Sequence, residues 1–331
     1  MSSNTAHDRS IDIFKGLAIL SVLFAHSILY HPIDLTSTYH WCYVIDKINT
    51  SFHMPMFFLI SGYLFSKTHK STGELYKQKT LRILIPYLAM MAIIIIVKLI
   101  VPSRFYYHQS AGGGAIPLIT NALLYGGDRW FLYTMFIMFL LVIPFRNVLK
   151  NKWVDLVLIV VLIIVYFLGF LPKIFLLDSM FYYLIFFVAG YALKDSFYAI
   201  KVWSLKYWWI VYGVAILANG VFILPLAKIP FLFRFVLPLT GTCAVMTMAF
   251  QLEKIVLKSK IVQFVEYCGK YTLQFYLFPG AVIARVLAIN VLHMSNPFVI
   301  IVSVFFLQVL IQTILVEITR RIKWLKIPCG Y

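Results

Sequence analysis

Long runs of apolar residues recur along the chain, and short polar segments separate them. A transmembrane helix needs about 20 mostly apolar residues, so each run is a candidate membrane span. Ten spans are predicted: 11–31, 51–66, 83–101, 129–146, 153–171, 178–194, 207–227, 231–251, 271–289 and 297–318. The second is short, and the seventh and eighth are joined tightly around Pro225 and Pro230. The pattern predicts an all-α, polytopic integral membrane protein with about ten transmembrane helices.

The composition agrees with this pattern. Hydrophobic residues make up 62% of the chain and charged residues 12%, whereas a soluble protein carries roughly 25% charged residues. We therefore expect residues 1–331 to form a single membrane domain with no fused soluble domain. The first apolar run lies where a signal peptide would, but it has no clear small-residue cleavage site and many spans follow it. We interpret it as a retained first helix.

The distribution of charge predicts the orientation. A net charge of +17 would suggest nucleic acid as a partner of a soluble protein, but here the basic residues lie mostly in short loops between spans. With a cytoplasmic N-terminus, the outer loops keep only four basic residues: Lys47, Arg104, Lys173 and Lys228. This asymmetry predicts that both termini are cytoplasmic and that the chain lies in the cell (inner) membrane, with the lipid bilayer as a partner and no nucleic acid.

The first span carries the clearest candidate chemistry. Lys15 lies near its start and His26 lies deep inside it, eleven residues further along. That spacing is about three helical turns, so both side chains share one stripe of the helix, roughly 16 Å apart along its axis. Asp12 lies on the same stripe, one turn below Lys15. An ionisable group inside a membrane span is costly and indicates function, although His26 as a neutral imidazole bonded to a neighbouring helix is an open alternative.

More basic residues fall within or at the edges of the other spans. Four of them lie in the outer half of the predicted topology: Lys98, Arg129, Arg234 and Arg285. We expect Lys98 and Arg129 to snorkel to lipid headgroups and Arg234 and Arg285 to face an aqueous cavity. His53 lies at the outer mouth of the second span. The predicted outer side is therefore basic and contains both His26 and His53.

The second span and the inner loop after it provide further candidates. Ser61 and Gly62 are small residues that allow close contact between helices. Lys79 and Arg82 lie one turn apart at the cytoplasmic entrance of the third span, where such a pair suits the phosphates of either a soluble ligand or anionic lipid. The four cysteines show neither pair spacing nor a metal-binding pattern, so no metal site is predicted.

These residues resemble the motifs of a known family. Lys15, ten intervening residues and His26 match the Arg/Lys-x10-His motif of membrane-bound acyltransferase family 3. Lys79-x-x-Arg82, followed by Pro86-Tyr87, is similar to that family's basic pair, with Lys in place of the first Arg. The second span, FHMPMFFLISGYLF, resembles in particular the branch grouped with fucose 4-O-acetylases. Ten spans is the family's usual number.

Two later segments extend the resemblance over most of the chain. Residues 128–132, DRWFL, resemble the Trp-Phe-Leu start of a middle span, and residues 269–277 resemble a late Gly-x-x-Ser segment that ends in Tyr-Leu. The late segment departs from the family pattern, because Thr272 replaces the usual Ser and Phe278 stands where many members have a His. Any role of that His in other members does not carry over to this chain.

The resemblance implies an O-acyltransferase that moves an acyl group, usually acetyl, from cytoplasmic acyl-CoA to a hydroxyl of a surface glycan or lipid-linked sugar. The implied donor is acetyl-CoA, and its candidate binding residues are Lys15, Lys79, Arg82 and Ser61. The implied catalytic residues are His26, Lys15 and Asp12. Residues placed on the acceptor side are His53, Arg129, Trp130 and Arg285.

Within this hypothesis His26 acts either as a general base on the sugar hydroxyl or as an acyl carrier, and we prefer the base because it needs only one positioned imidazole. Asp12 pairs with Lys15 and reduces the cost of burying both. The alternative function is a transporter or flippase for a lipid-linked sugar, which would also need ten spans and buried charges, although the sequence shows no convincing internal repeat. A non-catalytic membrane scaffold would leave the pairing of Lys15 and His26 unexplained.

Overall fold

The computed structural model describes residues 8–28, 35–101, 114–223 and 232–331. Within these ranges the chain is helical and contains no β-strand. The α-helices in chain order are α1 Arg9–Ile28, α2 Leu35–Thr38, α3 His40–Ser66, α4 Thr72–Lys79, α5 Ile85–Ile100, α6 Ala115–Tyr125, α7 Trp130–Phe145, α8 Lys152–Leu168, α9 Leu177–Ala192, α10 Phe197–Lys206, α11 Trp208–Ile223, α12 Leu237–Glu253, α13 Lys260–Lys270, α14 Thr272–Leu277, α15 Gly280–Arg285 and α16 Pro297–Thr319. Three π-helical turns adjoin them: Thr80–Leu84, Leu232–Val236 and Val286–Val291.

The prediction of an all-α polytopic membrane protein is confirmed. Six helical stretches of the described chain are long and apolar enough to cross a membrane: Arg9–Ile28, Thr72–Ile100, Ala115–Phe145, Ile174–Ala192, Arg234–Glu253 and Pro297–Thr319. The predicted second and fifth spans fall in α3 and α8, and the seventh and ninth coincide with shorter apolar helices. The total of ten spans and the side of the termini stay predictions. Arg104, Lys228 and the join around Pro225 and Pro230 lie outside the described residues.

Two predicted spans differ from the helices found. The second was expected to begin at residue 51, but α3 begins at His40 and continues through the polar residues Asp46 and Asn49, which are buried by neighbouring protein. His53, which was predicted at the outer mouth of this span, therefore lies in the middle of α3 and is buried. The ninth was expected to be continuous, but it breaks between α14 and α15 at Phe278 and Pro279. Proline has no backbone N–H and pushes the preceding residue to extended geometry, and Phe278 is indeed extended.

Helix α1 lies at the centre of the packing and contacts α3, α12, α13 and α16. Glycines bring its partners close. A Cβ atom on Gly16 would lie 1.9 Å from the carbonyl oxygen of Val265, and one on Gly269 would lie 1.7 Å from that of Asp12. Backbones that approach this closely leave no room for a side chain, so α1 and α13 are fixed in one register.

A second crossing of the same kind joins α3 to α9. A Cβ atom on Gly62 would lie 1.9 Å from the carbonyl oxygen of Phe187, and one on Gly190 would lie 1.8 Å from that of Leu59. The prediction that Gly62 allows close helix contact is therefore confirmed. Together the two crossings fix the helices that carry Lys15, His26 and His53.

Candidate active site

The N-terminal end of α1 carries an ion pair whose carboxylate is buried. Lys15 Nζ lies 2.7 Å from Asp12 Oδ1, and the Asp12 residue is only 2% exposed. The predicted pairing of these two residues is thus present in the structure. Because the carboxylate neutralises the ammonium group, both charges are accommodated next to the α1–α13 crossing.

A second carboxylate completes this region, which lies on the predicted cytoplasmic side. We call it the inner crossing: Arg9, Asp12, Lys15, Gly16, Glu266, Gly269 and Lys270. Glu266 accepts hydrogen bonds from Arg9 Nη2 at 2.8 Å and from Arg9 Nε at 3.2 Å, and its other partner, Lys270 Nζ, lies at 2.8 Å. Burial acts to raise the pKa of Glu266, but the hydrogen bonds from Arg9 and Lys270 hold that pKa below its ordinary value. Every charged side chain of the inner crossing therefore has an oppositely charged partner.

His26 lies at the other end of α1, among residues from other helices. Its side chain is half-buried, and it interacts electrostatically with Arg285, His53 and Arg129. Arg285 Nη2 also donates to the backbone carbonyl of His26. These three residues come from α15, from α3 and from the turn before α7. Charged or titratable groups from three other helical segments thus lie near His26. We call His26, His53, Arg129 and Arg285 the outer cluster, after the side of the membrane on which the sequence places them.

The break in the ninth span is capped by side chains from two other helical segments. Arg129 Nε donates to the carbonyl of Leu277 at 3.1 Å, and Gln312 Nε2 donates to the carbonyl of Phe278 at 3.2 Å. Irregular backbone within a membrane is tolerated only where protein or a water-filled cavity satisfies its polar groups. These two side chains satisfy the carbonyl groups at the break, which lies beside the outer cluster.

The expectation that Lys98 and Arg129 snorkel to lipid headgroups is wrong. Lys98 is buried and forms an ion pair of 2.8 Å with Asp128, and Arg129 bonds the Leu277 carbonyl. A carboxylate and a backbone carbonyl of the protein bind these two side chains instead of lipid headgroups. Such partners are distant in the chain and leave no trace in the local hydropathy.

Trp130, placed on the acceptor side by the sequence, begins α7 and lies in an aromatic stack. Its ring is 5.8 Å from that of Tyr183 at an interplanar angle of 28°, and Tyr183 stacks on Phe58 with centroids 4.4 Å apart. The guanidinium of Arg129 lies 5.8 Å from the centroid of the Tyr276 ring. Aromatic rings therefore lie next to the outer cluster, and one of them, that of Tyr276, lies beside the guanidinium group of Arg129.

Arg234 and Arg285 were expected to face an aqueous cavity. Arg285 is instead buried and donates to the backbone of His26, and for Arg234 the expectation stays a prediction. Arg234 is exposed, lies in the second π-helical turn and sits 6.0 Å from the centroid of the Tyr182 ring, whose hydroxyl donates to its backbone carbonyl at 2.8 Å. Arg82 lies in the first π-helical turn and Arg285 immediately precedes the third. Such turns occur often at functional sites, and periodicity in the sequence did not reveal them.

The three remaining candidates for donor binding occupy different environments. Lys79 Nζ lies 3.6 Å from the centroid of the Phe139 ring, whereas Arg82 is exposed at the entrance of the third span. Ser61 is half-buried on α3 beside Gly62. Their predicted role in donor binding stays a prediction. Among the described residues no group of three or more His, Cys, Asp or Glu side chains is placed to hold a metal ion.

Three residues that shape these regions were not expected from the sequence: Asn49, Glu266 and Gln312. Two of them had a local signal. Glu266 stands four residues before Lys270, the spacing of a helical ion pair. Gln308 and Gln312 are polar residues one turn apart in an otherwise apolar span, a position that indicates a role inside the protein.

Comparison with known proteins adds the family. A family model described as an acyltransferase domain matches residues 8–317. The nodulation protein NolL of Mesorhizobium japonicum (strain LMG 29417 / CECT 9101 / MAFF 303099) is 28% identical over 137 residues, which are 41% of this chain and 35% of that protein. The chain thus matches only about a third of the length of that relative, and no solved structure matches it. Since the family model covers nearly the whole chain, the chain belongs to membrane-bound acyltransferase family 3.

Proposed function

We propose that this membrane acyltransferase transfers an acyl group, in the first instance acetyl, from cytoplasmic acyl-CoA to a hydroxyl of a surface glycan or lipid-linked saccharide, with His26 as the base. The proposal includes the cell membrane as its location and the fucose 4-O-acetylase-like branch as its relationship. The observation that carries it is the arrangement along α1, where a cation near the inner end and an imidazole among three other helical segments lie on one helix.

Binding of the acyl donor is proposed from the charge of two basic residues and from the distance between Lys15 and His26 along α1. Coenzyme A is polyanionic, and Lys15 and Arg82 carry positive charge on the predicted cytoplasmic side. Arg82 is exposed, whereas Lys15 is partly exposed and is paired with Asp12, so Arg82 is the stronger candidate for a phosphate contact. The eleven residues from Lys15 to His26 span roughly 16 Å along the helix, on the order of a pantetheine arm. A donor held by its phosphates at the inner end would bring its thioester near His26.

The reaction needs one proton carrier. The acceptor oxygen attacks the thioester carbon, His26 takes the hydroxyl proton, the C–S bond breaks and the thiolate leaves with that proton as free coenzyme A. Arg129 and Arg285 place positive charge near His26. That charge favours the negative oxygen of the tetrahedral intermediate, which is how fixed cations accelerate acyl transfer.

The test is transfer of label from radioactive acetyl-CoA to cell-envelope glycans in membranes that contain the protein. We expect His26→Ala to reduce transfer by about 100-fold or more, the range of a general base, with normal membrane insertion. The exposed His69 provides a matched control, and His69→Ala should transfer normally. Normal transfer by His26→Ala would refute this mechanism.

Donor binding is tested in the same membranes. Arg82→Ala should weaken binding of acetyl-CoA about 10-fold, because a charge-assisted bond to phosphate is lost. Arg321 has an exposed side chain, so Arg321→Ala is the control. Unchanged affinity in Arg82→Ala would identify the inner basic pair as a lipid contact.

One observation favours the rival function. The ninth span is broken at Phe278 and Pro279, and broken helices line the substrate sites of many transporters. A transporter or flippase for a lipid-linked sugar would move the glycan across reconstituted vesicles without acetyl-CoA. An acyltransferase transfers label whether or not the glycan moves, so the two functions are distinguished by these paired measurements.

A further inference from the structure

His53 is fixed in one tautomer by its own helix. Its Nδ1 lies 3.0 Å from the backbone carbonyl of Asn49, and the residue is 6% exposed. A carbonyl oxygen can only accept a hydrogen bond, so Nδ1 carries the hydrogen. In the neutral ring Nε2 is then the unprotonated nitrogen and acts as a hydrogen-bond acceptor.

Asn49 also ties the helix of His53 to the helix of His26. Its side-chain Nδ2 donates to the backbone carbonyl of Ser21 at 2.8 Å, and Ser21 Oγ donates back to Asn49 Oδ1. Asn49 is buried, and a buried amide that lost these partners would be costly. One residue therefore sets the register of α1 against α3 through its side chain and the orientation of His53 through its carbonyl.

The two bonds between Asn49 and Ser21 join the helix of His53 to the helix of His26, and the two imidazoles are close enough to interact electrostatically. An acceptor nitrogen needs a hydrogen-bond donor as its partner. The reacting end of an acyl thioester offers a carbonyl oxygen and a sulfur and has no donor. A saccharide acceptor offers several hydroxyl groups. The nearest donor group on acyl-CoA is the pantetheine amide N–H, two carbons beyond the sulfur, whereas the other hydroxyls of a saccharide adjoin the reacting oxygen. We therefore assign the partner of His53 to the acceptor.

We propose that His53 determines acceptor specificity by accepting a hydrogen bond from a hydroxyl or N–H group adjacent to the reacting hydroxyl, and that Asn49 positions it relative to His26. The inference rests on the proposed acyl transfer and narrows its substrate class. The acceptor carries at least two neighbouring donor groups, such as a vicinal diol or an acylamino group beside the reacting hydroxyl.

The first experiment separates a hydrogen-bond acceptor from a proton carrier. Transfer of label from radioactive acetyl-CoA to the host's cell-envelope glycans is measured in membranes with His53→Gln and His53→Phe. The glutamine Oε1 can accept a hydrogen bond but cannot carry the proton, and phenylalanine can do neither.

We expect His53→Phe to lower the transfer rate about 10- to 100-fold, the loss typical of an unpaired substrate donor in a buried site. His53→Gln should stay within about fivefold of the native rate. The KM for acetyl-CoA should not change in either variant. His40 is exposed on the same helix, and His40→Phe should be silent.

Two results would overturn the proposal. Equal inactivity of His53→Gln and His53→Phe would mean that His53 moves the proton itself, and native activity of His53→Phe would mean that it contacts no substrate. If the phenylalanine variant does not insert, His53→Met replaces it. Absence of transfer by the native protein would instead contradict the proposed function, so the two failures are distinguishable.

The second experiment tests the positioning role of Asn49 by a double-mutant cycle. Asn49→Ala should slow transfer about 10-fold and leave the KM for acetyl-CoA unchanged, and it should have little further effect in the His53→Phe background. Ser21→Ala removes only one of the two bonds and should have a smaller effect. Multiplicative losses in the double variant would show that Asn49 does not act through His53.

Discussion

The inner crossing and the outer cluster both hold charged side chains within a membrane protein, but the charges have different partners. At the inner crossing Asp12 neutralises Lys15, and Glu266 neutralises Arg9 and Lys270. In the outer cluster Arg129 and Arg285 donate to backbone carbonyls of Leu277 and His26. A carbonyl binds a guanidinium group without removing its net charge.

This difference separates structural from chemical roles. The inner crossing is closed by glycine contacts between backbones and balanced in charge, so it fixes α1 in place. The outer cluster brings Arg129 and Arg285 near His26 and lies next to a broken helix, and guanidinium groups near the base suit the oxyanion of the proposed reaction. We expect substitutions in the inner crossing to lower mainly the stability of the protein and substitutions in the outer cluster to lower mainly the rate of acyl transfer.

The largest effect on stability should come from Gly269→Ala. The new Cβ would meet the backbone of Asp12 at 1.7 Å, and backbone cannot yield as a flexible side chain does, so we expect a loss of about 3 kcal/mol. Gly213 provides the matched control, since a Cβ there meets nothing within 4 Å. Thermal unfolding in detergent measures both variants, and equal midpoints would show that the inner crossing is not tightly packed.

A smaller loss of stability is expected at the break in the ninth span, beside the outer cluster. Gln312→Met keeps the volume but leaves the Phe278 carbonyl without its donor, which should cost about 2 kcal/mol of unfolding free energy. Gln263 is exposed, so Gln263→Met should be neutral because water replaces its bond. Native stability of Gln312→Met would indicate that the broken helix needs no cap.

The smallest expected effect is the loss of stability in acid that involves Glu266. The pKa of Glu266 is lower in the folded protein than its ordinary value of 4.5. Its ionised carboxylate therefore stabilises the folded protein above pH 4.5, and this stabilisation is lost as the pH falls through the folded pKa. Glu266→Gln should cost about 1 kcal/mol at neutral pH, since its partners are partly exposed and screened. The difference from the native protein should shrink in acid, and a difference constant with pH would exclude this origin.

Several features followed from local sequence. Apolar runs near 20 residues gave most of the membrane helices because a helix satisfies its own backbone groups. The three-turn spacing of Lys15 and His26 and the one-turn spacing of Asp12 and Lys15 follow from the geometry of one helix, and the ion pair at 2.7 Å agrees. Hydropathy failed where polar residues such as Asp46 and Asn49 are buried by protein, because it measures contact with lipid only.

The sequence by itself therefore determined the helical membrane architecture, the stripe of Asp12, Lys15 and His26, and the family motifs. Only the tertiary structure decided which groups meet: Arg129 with Leu277, Gln312 with Phe278, and Asn49 with Ser21. These partners lie far apart in the chain. They are selected because an unpaired polar group buried in a membrane protein costs more free energy than the distortion needed to satisfy it.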